Sequence, residues 1–160
     1  MRHRFNTVSV VLHFLGSLFI LLGVLLLIPL VVVFLGGELS RGSATLLAFL
    51  LPSLFSVILG LLLRKYCRSG SLNNIQAMLI CALGWVGYSA IGAIPFVIAI
   101  DAGYLNGFFE TMSGFTTTGI TMFTGLDQMP RSILFWRSFT QWLGGLGILT
   151  FYTGSDLFFD

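Results

Sequence analysis

Three long apolar runs dominate residues 8–100. The first, 8–35, spans 28 residues and is broken only by small residues, His13 and Pro29. At about 1.5 Å rise per residue it exceeds a hydrocarbon core of about 30 Å, so it tilts or extends past the core. Arg2 and Arg4 precede it as they would in a secretory leader. A leader's apolar region is only about 7–15 residues long, and no small-residue cleavage site closes this run, so the pattern predicts a retained span. Gly36, Gly37, Glu38, Ser40, Arg41 and Gly42 read as a short turn. A second run follows at 43–63 and ends in Arg64, Lys65, Tyr66, Cys67 and Arg68, with a polar loop over 69–74. The third run, 75–100, starts beside Asn73 and Gln76, contains Gly84, Gly87 and Gly92, and has Pro95 near its end.

The pattern changes after Asp101. Residues 104–113, YLNGFFETMS, form an amphipathic stretch too short to cross a bilayer as a helix. Next come Gly114, Phe115, Thr116, Thr117, Thr118, Gly119, Ile120 and Thr121. β-Branched threonine and flexible glycine make poor helix here. A loop with Gly125, Asp127 and Pro130 follows, and helical patterning resumes at Arg131. If Asp101 and Arg131 lie on one side of a membrane, the stretch between them dips in and returns. Non-helical backbone at membrane depth is tolerated only where it is buried in protein or lines water. Carbonyls freed from helix bonding can replace the hydration shell of a cation, and oxygen ligands without carboxylates suit a monovalent ion better than Ca²⁺ or Mg²⁺. The short helix, ending at Ser113 and Gly114, would aim its negative dipole end at such an ion. A Thr-rich turn in an external loop satisfies the same composition.

Composition narrows the class. Only 9% of the 160 residues are charged, 56% are hydrophobic and the mean hydropathy is +0.98. That supply of charge cannot coat a soluble globule, which excludes a cytosolic enzyme and a disordered chain. A net charge of +2 is too small to mark a nucleic-acid partner. The expected fold is an all-α membrane protein. Five of the eight basic residues fall at the N-terminus or in 64–68, which places both on the cytoplasmic side. Glu38, Asp101, Glu110 and Asp127 then belong to the outer half.

Single residues carry less. Glu110 could draw cations to a pore mouth or hydrogen-bond behind the unwound segment, and an ionisable residue at membrane depth is functional by default. Arg137 could pair with Glu110 or a carbonyl, or snorkel to the outer headgroups. Asp127 reads as a solvated turn residue, and His13 as a polar residue facing another helix. Trp85, Trp136 and Trp142 read as interfacial or packing aromatics, and Gly144, Gly145 and Gly147 as points of close helix contact or of a bend. Cys67 and Cys81 read as free thiols. There is no Gly-rich phosphate loop, no nucleophile–base pair and no metal-spaced Cys/His cluster, so neither an enzyme nor a cofactor is expected.

The strings FFETMSGFTTTGIT and MPRSILFWRSFTQWLGGLGI, within 104–148, resemble the first pore unit of the Trk/Ktr/HKT cation transporters. The resemblance covers nearly everything through about residue 150. It implies two leading transmembrane helices in 1–70, as in bacterial Trk-type potassium uptake subunits. A first pore unit follows in 71–160, with an outer helix at 75–100, a pore helix at 104–113, a filter at 116–121 and an inner helix at 131–153. It implies K⁺ bound by carbonyls of Thr117, Thr118 and Gly119, with Thr116 and Ile120 completing the ion-binding filter and Glu110, Thr121 and Arg137 supporting it. Sodium-tolerant members often carry serine in place of a filter glycine, so Gly119 favours potassium. It further implies a multi-pass protein of the bacterial inner membrane, with its N-terminus in the cytoplasm. Uptake would be driven by the electrochemical gradient, alone or as symport, and a cytoplasmic nucleotide-binding regulatory subunit is a partner of Trk-type members. The family strings four such units around one path. This chain matches one, and FYTGSDLFFD does not continue the apolar inner helix, so a fragment is favoured over single units assembling from other copies. A homotetrameric channel and a non-conducting scaffold are the rival expectations.

Overall fold

The computed structural model describes the backbone of residues 2–38 and 43–156, with side chains over 8–38 and 43–149. Ser40, Arg41 and Gly42 of the expected turn therefore lie outside the described residues. The described residues form helices joined by turns and loops, with no strand among them. The chain is an all-α membrane protein. Its order is α1 (Arg2–Leu25), α2 (Ile28–Leu35), α3 (Ala44–Tyr66), α4 (Asn74–Gly92), α5 (Ile94–Ile100), α6 (Tyr104–Phe115), a 3₁₀ turn (Leu126–Gln128) and α7 (Arg131–Asp156). Among the described residues, three stretches are long and apolar enough to cross a membrane: Val8–Leu35, Ala44–Tyr66 and Asn74–Ile100.

Two of these spans are not single helices. Pro29 has no N–H to donate to Leu25 and its ring crowds that carbonyl, so α1 gives way to a turn at Leu26 and Leu27 before α2 resumes. Pro95 breaks the third span in the same way at Ala93. The break leaves the Gly92 carbonyl without its usual helical donor, and the Trp136 indole N–H takes that place at 3.0 Å. Pro52, by contrast, sits inside an unbroken α3. The hydroxyls of Ser53 and Ser56 on the same helix reach across to the Gly23 and Phe19 carbonyls of α1, at 2.6 and 2.7 Å. The two helices touch backbone to backbone where Gly16 faces Gly60: a Cβ on Gly16 would sit 2.8 Å from the Gly60 carbonyl oxygen.

α4 opens with a reciprocal cap. The Asn73 side chain accepts from the Gln76 N–H at 2.8 Å, and the Gln76 side chain accepts from the Asn73 N–H at 3.0 Å. Its Tyr88 hydroxyl donates to the Leu18 carbonyl of α1. His13 of α1 faces a neighbouring segment, with Nδ1 3.0 Å from the Cys67 carbonyl. The core gathers Leu22, Leu26, Val33, Phe49, Phe96, Phe115, Ile133 and Trp136. Leu54, Phe55, Leu61 and Leu83 stay exposed, as lipid-facing positions do in a protein whose solvent is hydrocarbon.

Glu38, read from the sequence only as part of a short outer turn, has a specific role. It is buried, and its carboxylate receives the Ser132 N–H at 3.2 Å and the Ser132 hydroxyl at 2.6 Å. It thereby caps the first turn of α7, where N–H groups have no intrahelical partner and negative charge is favoured. Glu38→Ala is expected to strand these donors and lower stability by about 1–3 kcal/mol. Thermal unfolding in detergent checks this, and Glu38→Gln, which keeps an acceptor, should lose less. α7 also differs from expectation: it runs beyond 153 to Asp156, since no proline interrupts 151–156.

Candidate functional site: the segment between α6 and α7

With 12 residues, α6 is about 18 Å long at 1.5 Å per residue and cannot span the bilayer. It continues two residues past Ser113, to Phe115. Its end is closed by the segment that follows. Thr117 N–H donates to the Gly114 carbonyl at 2.8 Å, and Thr118 and Gly119 N–H donate to the Ser113 carbonyl at 3.0 and 3.3 Å. The Ser113 and Gly114 carbonyls near the end of α6 are thus taken up by this segment. Gly119 sits at φ +75° and Thr117 at +58°. Glycine is at ease there, but a β-branched residue is not, and such strain of order 1–3 kcal/mol gathers at functional sites. Sequence reasoning missed Thr117 in this role, because nothing in a threonine signals a left-handed backbone.

With three N–H groups turned back to α6, the segment's carbonyls are left over. Those of Thr117, Thr118, Gly119 and Ile120 accept no hydrogen bond among the described residues. Residues 117–122 are exposed on this side. The Thr116 hydroxyl is committed to the Met112 carbonyl at 2.8 Å, so in its 2.9 Å contact with Thr118 the Thr118 hydroxyl donates.

One carboxylate holds the far side of the segment. Glu110 is buried, and its Oε1 accepts from Arg137 Nε of α7 at 2.5 Å. Its Oε2 accepts from the Thr121 hydroxyl and from the Met122 N–H, each at 3.0 Å. Glu110, Thr121 and Arg137 are therefore brought together, and of the alternatives for Arg137 the structure takes the pairing with Glu110. Phe123 then stacks on Phe96 of α5, 5.4 Å between centroids, which anchors the outgoing loop. Asp127 lies apart on the exposed 3₁₀ turn. Trp136 is buried in the core rather than interfacial, Trp142 is exposed and Trp85 partly buried. Both cysteines are free.

α6 and α7 meet where the side chains vanish. A Cβ on Gly114 would strike the Thr140 hydroxyl, and one on Gly144 would strike the Phe115 backbone. The Thr140 hydroxyl donates to the Arg137 carbonyl. Gly119 lies against the Gln141 amide.

Residues 84–153, which contain this entire arrangement, match the family model described as TrkH, cation transport protein. Over these residues the chain is similar to the Trk family. A protein of Methanocaldococcus jannaschii described as an uncharacterized cation transporter is 41% identical over 140 residues, covering 87% of this chain and 28% of that relative. The Trk system potassium uptake protein TrkH of Escherichia coli is 40% identical over 84 residues, covering 51% of this chain and 17% of that protein. The Trk system potassium uptake protein TrkI of Halomonas elongata is 35% identical over 80 residues, 49% of this chain and 16% of that protein. The chain thus spans well under a third of the length of the curated Trk relatives it matches.

Proposed function

We propose that this chain supplies one of four pore units of a potassium uptake path, with Thr116–Ile120 as its share of the filter and K⁺ held at Thr117, Thr118 and Gly119. The observation that carries the reading is that, among the described residues, the Thr117–Ile120 carbonyls accept no hydrogen bond while the N–H groups of Thr117, Thr118 and Gly119 are tied back to α6. Free carbonyl oxygens on a braced backbone are what a dehydrated monovalent cation needs as ligands. Glu110, Thr121 and Arg137 brace the segment from behind. Further units, from the same chain or from other copies, complete the ring. The basic residues Arg64, Lys65 and Arg68, two spans away from the basic N-terminus, support a cytoplasmic placement of both; a bacterial inner membrane is proposed on the likeness to the Trk proteins alone.

Gly119→Ala tests this. The φ of +75° costs a residue with a Cβ about 1–2 kcal/mol, while the new methyl would only touch the Gln141 amide. Potassium or rubidium uptake by the assembled transporter is expected to fall roughly 5- to 30-fold, as every 1.4 kcal/mol is a factor of ten. Uptake unchanged by this substitution would remove residues 116–120 from the ion path.

A further inference from the structure

Behind the proposed filter, between α6 and α7, lies a cavity of about 20 Å³ lined by Glu110, Ser113, Gly119, Ile120, Arg137 and Gln141. A water molecule needs roughly 10–15 Å³ and two to four polar partners. This space has the volume for one, and its walls are mostly hydrogen-bonding groups.

Ser113 supplies the second observation. The residue is 6% exposed, and its hydroxyl has no hydrogen-bond partner among the described residues. Helical hydroxyls ordinarily settle on the carbonyl four residues back. Three neighbours do so: Thr111 on Gly107, Thr116 on Met112 and Ser138 on Leu134. Ser113 does not, although its own carbonyl accepts both the Thr118 and the Gly119 N–H. A buried hydroxyl without a partner costs about 1–3 kcal/mol, which a ligand within the cavity would offset.

We propose that this cavity binds a single water molecule. It accepts from or donates to the Ser113 hydroxyl and bridges it to the Glu110–Arg137 pair and the Gln141 amide. Glu110 already uses Oε1 for Arg137 Nε and Oε2 for Thr121 and Met122, yet a carboxylate has about four acceptor positions, so one remains. Arg137 has its terminal N–H groups beyond the Nε already paired. The water so placed touches the back of the Gly119–Ile120 backbone and fixes its setting. Its effect on ion selection rests on the filter reading above, whereas its presence does not.

The test has two arms, both on the assembled transporter. A map at a resolution that shows ordered water is expected to place one water within hydrogen-bond distance of Ser113 Oγ; an empty cavity, or a Ser113 hydroxyl bonded only to protein, overturns the proposal. Ser113→Ala is expected to lose that water and to lower potassium-over-sodium discrimination several-fold at unchanged abundance in the membrane. Ser113→Ala with full discrimination would overturn the water's role in selection. If Gly119→Ala leaves uptake intact, the filter reading fails while the water still stands or falls on the map.

Discussion

Glu110→Ala is expected to abolish uptake by the assembled transporter and to destabilise it toward the lower end of about 3–5 kcal/mol, the cost of removing one partner from a buried ion pair. The Glu110 side chain is 3% exposed and Arg137 is 23% exposed, so water reaches the guanidinium in part and trims the penalty. The functional loss has a separate origin. The carboxylate is the common anchor of α7, through Arg137, and of the outgoing end of the segment, through Thr121 and Met122. Alanine releases all three at once and leaves the Met122 N–H without its acceptor. Glutamine keeps one oxygen but not the charge, so Glu110→Gln should fall between. Arg137→Leu combined with Glu110→Ala should cost less than the sum of the two, because the groups act as a unit. Uptake assays beside thermal unfolding in detergent check this. A Glu110→Ala transporter that unfolds early yet conducts normally would assign Glu110 to folding alone.

The membrane character and the helical class were legible in the sequence because they follow from run lengths and from the scarcity of charge, which no tertiary contact can reverse. The breaks were less so. Pro29, Pro52 and Pro95 are the same residue in similar apolar runs, yet only Pro29 and Pro95 interrupt their helices. What differs is the surroundings: at Pro95 the freed Gly92 carbonyl finds the Trp136 indole, a partner 44 positions away. Glu38 was hidden for the same reason. Its neighbours are glycines and serine, which read as a turn, while Ser132, the residue that makes it a cap, is 94 positions distant. Within the candidate site, glycine and threonine content marked 116–121 as unwound, because that is a local property, while 114 and 115, read the same way, are helical. The positive φ of Thr117, the orphaned Ser113 hydroxyl and the choice of Arg137 between pairing and snorkelling all arise from the packing of α6 against α7. A one-dimensional pattern does not carry that packing.

That packing has its own decisive residue. Gly144→Ala is expected to separate α6 from α7. A Cβ at this position would overlap the carbonyl oxygen, carbonyl carbon and Cα of Phe115 together. These are main-chain atoms, so no side-chain rotation relieves the clash and one helix must move. Overpacking of this kind costs about 1–3 kcal/mol, occasionally more, and the rigidity of the obstacle puts this case at the upper end. Thr140, one turn earlier on α7, makes the matching close approach to Gly114, so the two helices cross on small residues, as membrane helices do where backbones approach closely. Phe115 closes α6 and is followed directly by Thr116, which means that displacement at Gly144 is passed to the first residue of the proposed filter. Uptake should therefore fall with stability, by a midpoint shift of about 2–4 °C per kcal/mol. Gly147→Ala is the control. A Cβ there meets no atom within 4 Å among the described residues, and alanine gains up to about 1 kcal/mol in helix propensity, so Gly147→Ala should be neutral or stabilising. Equal behaviour of the two variants would show that α6 and α7 do not meet at Gly144.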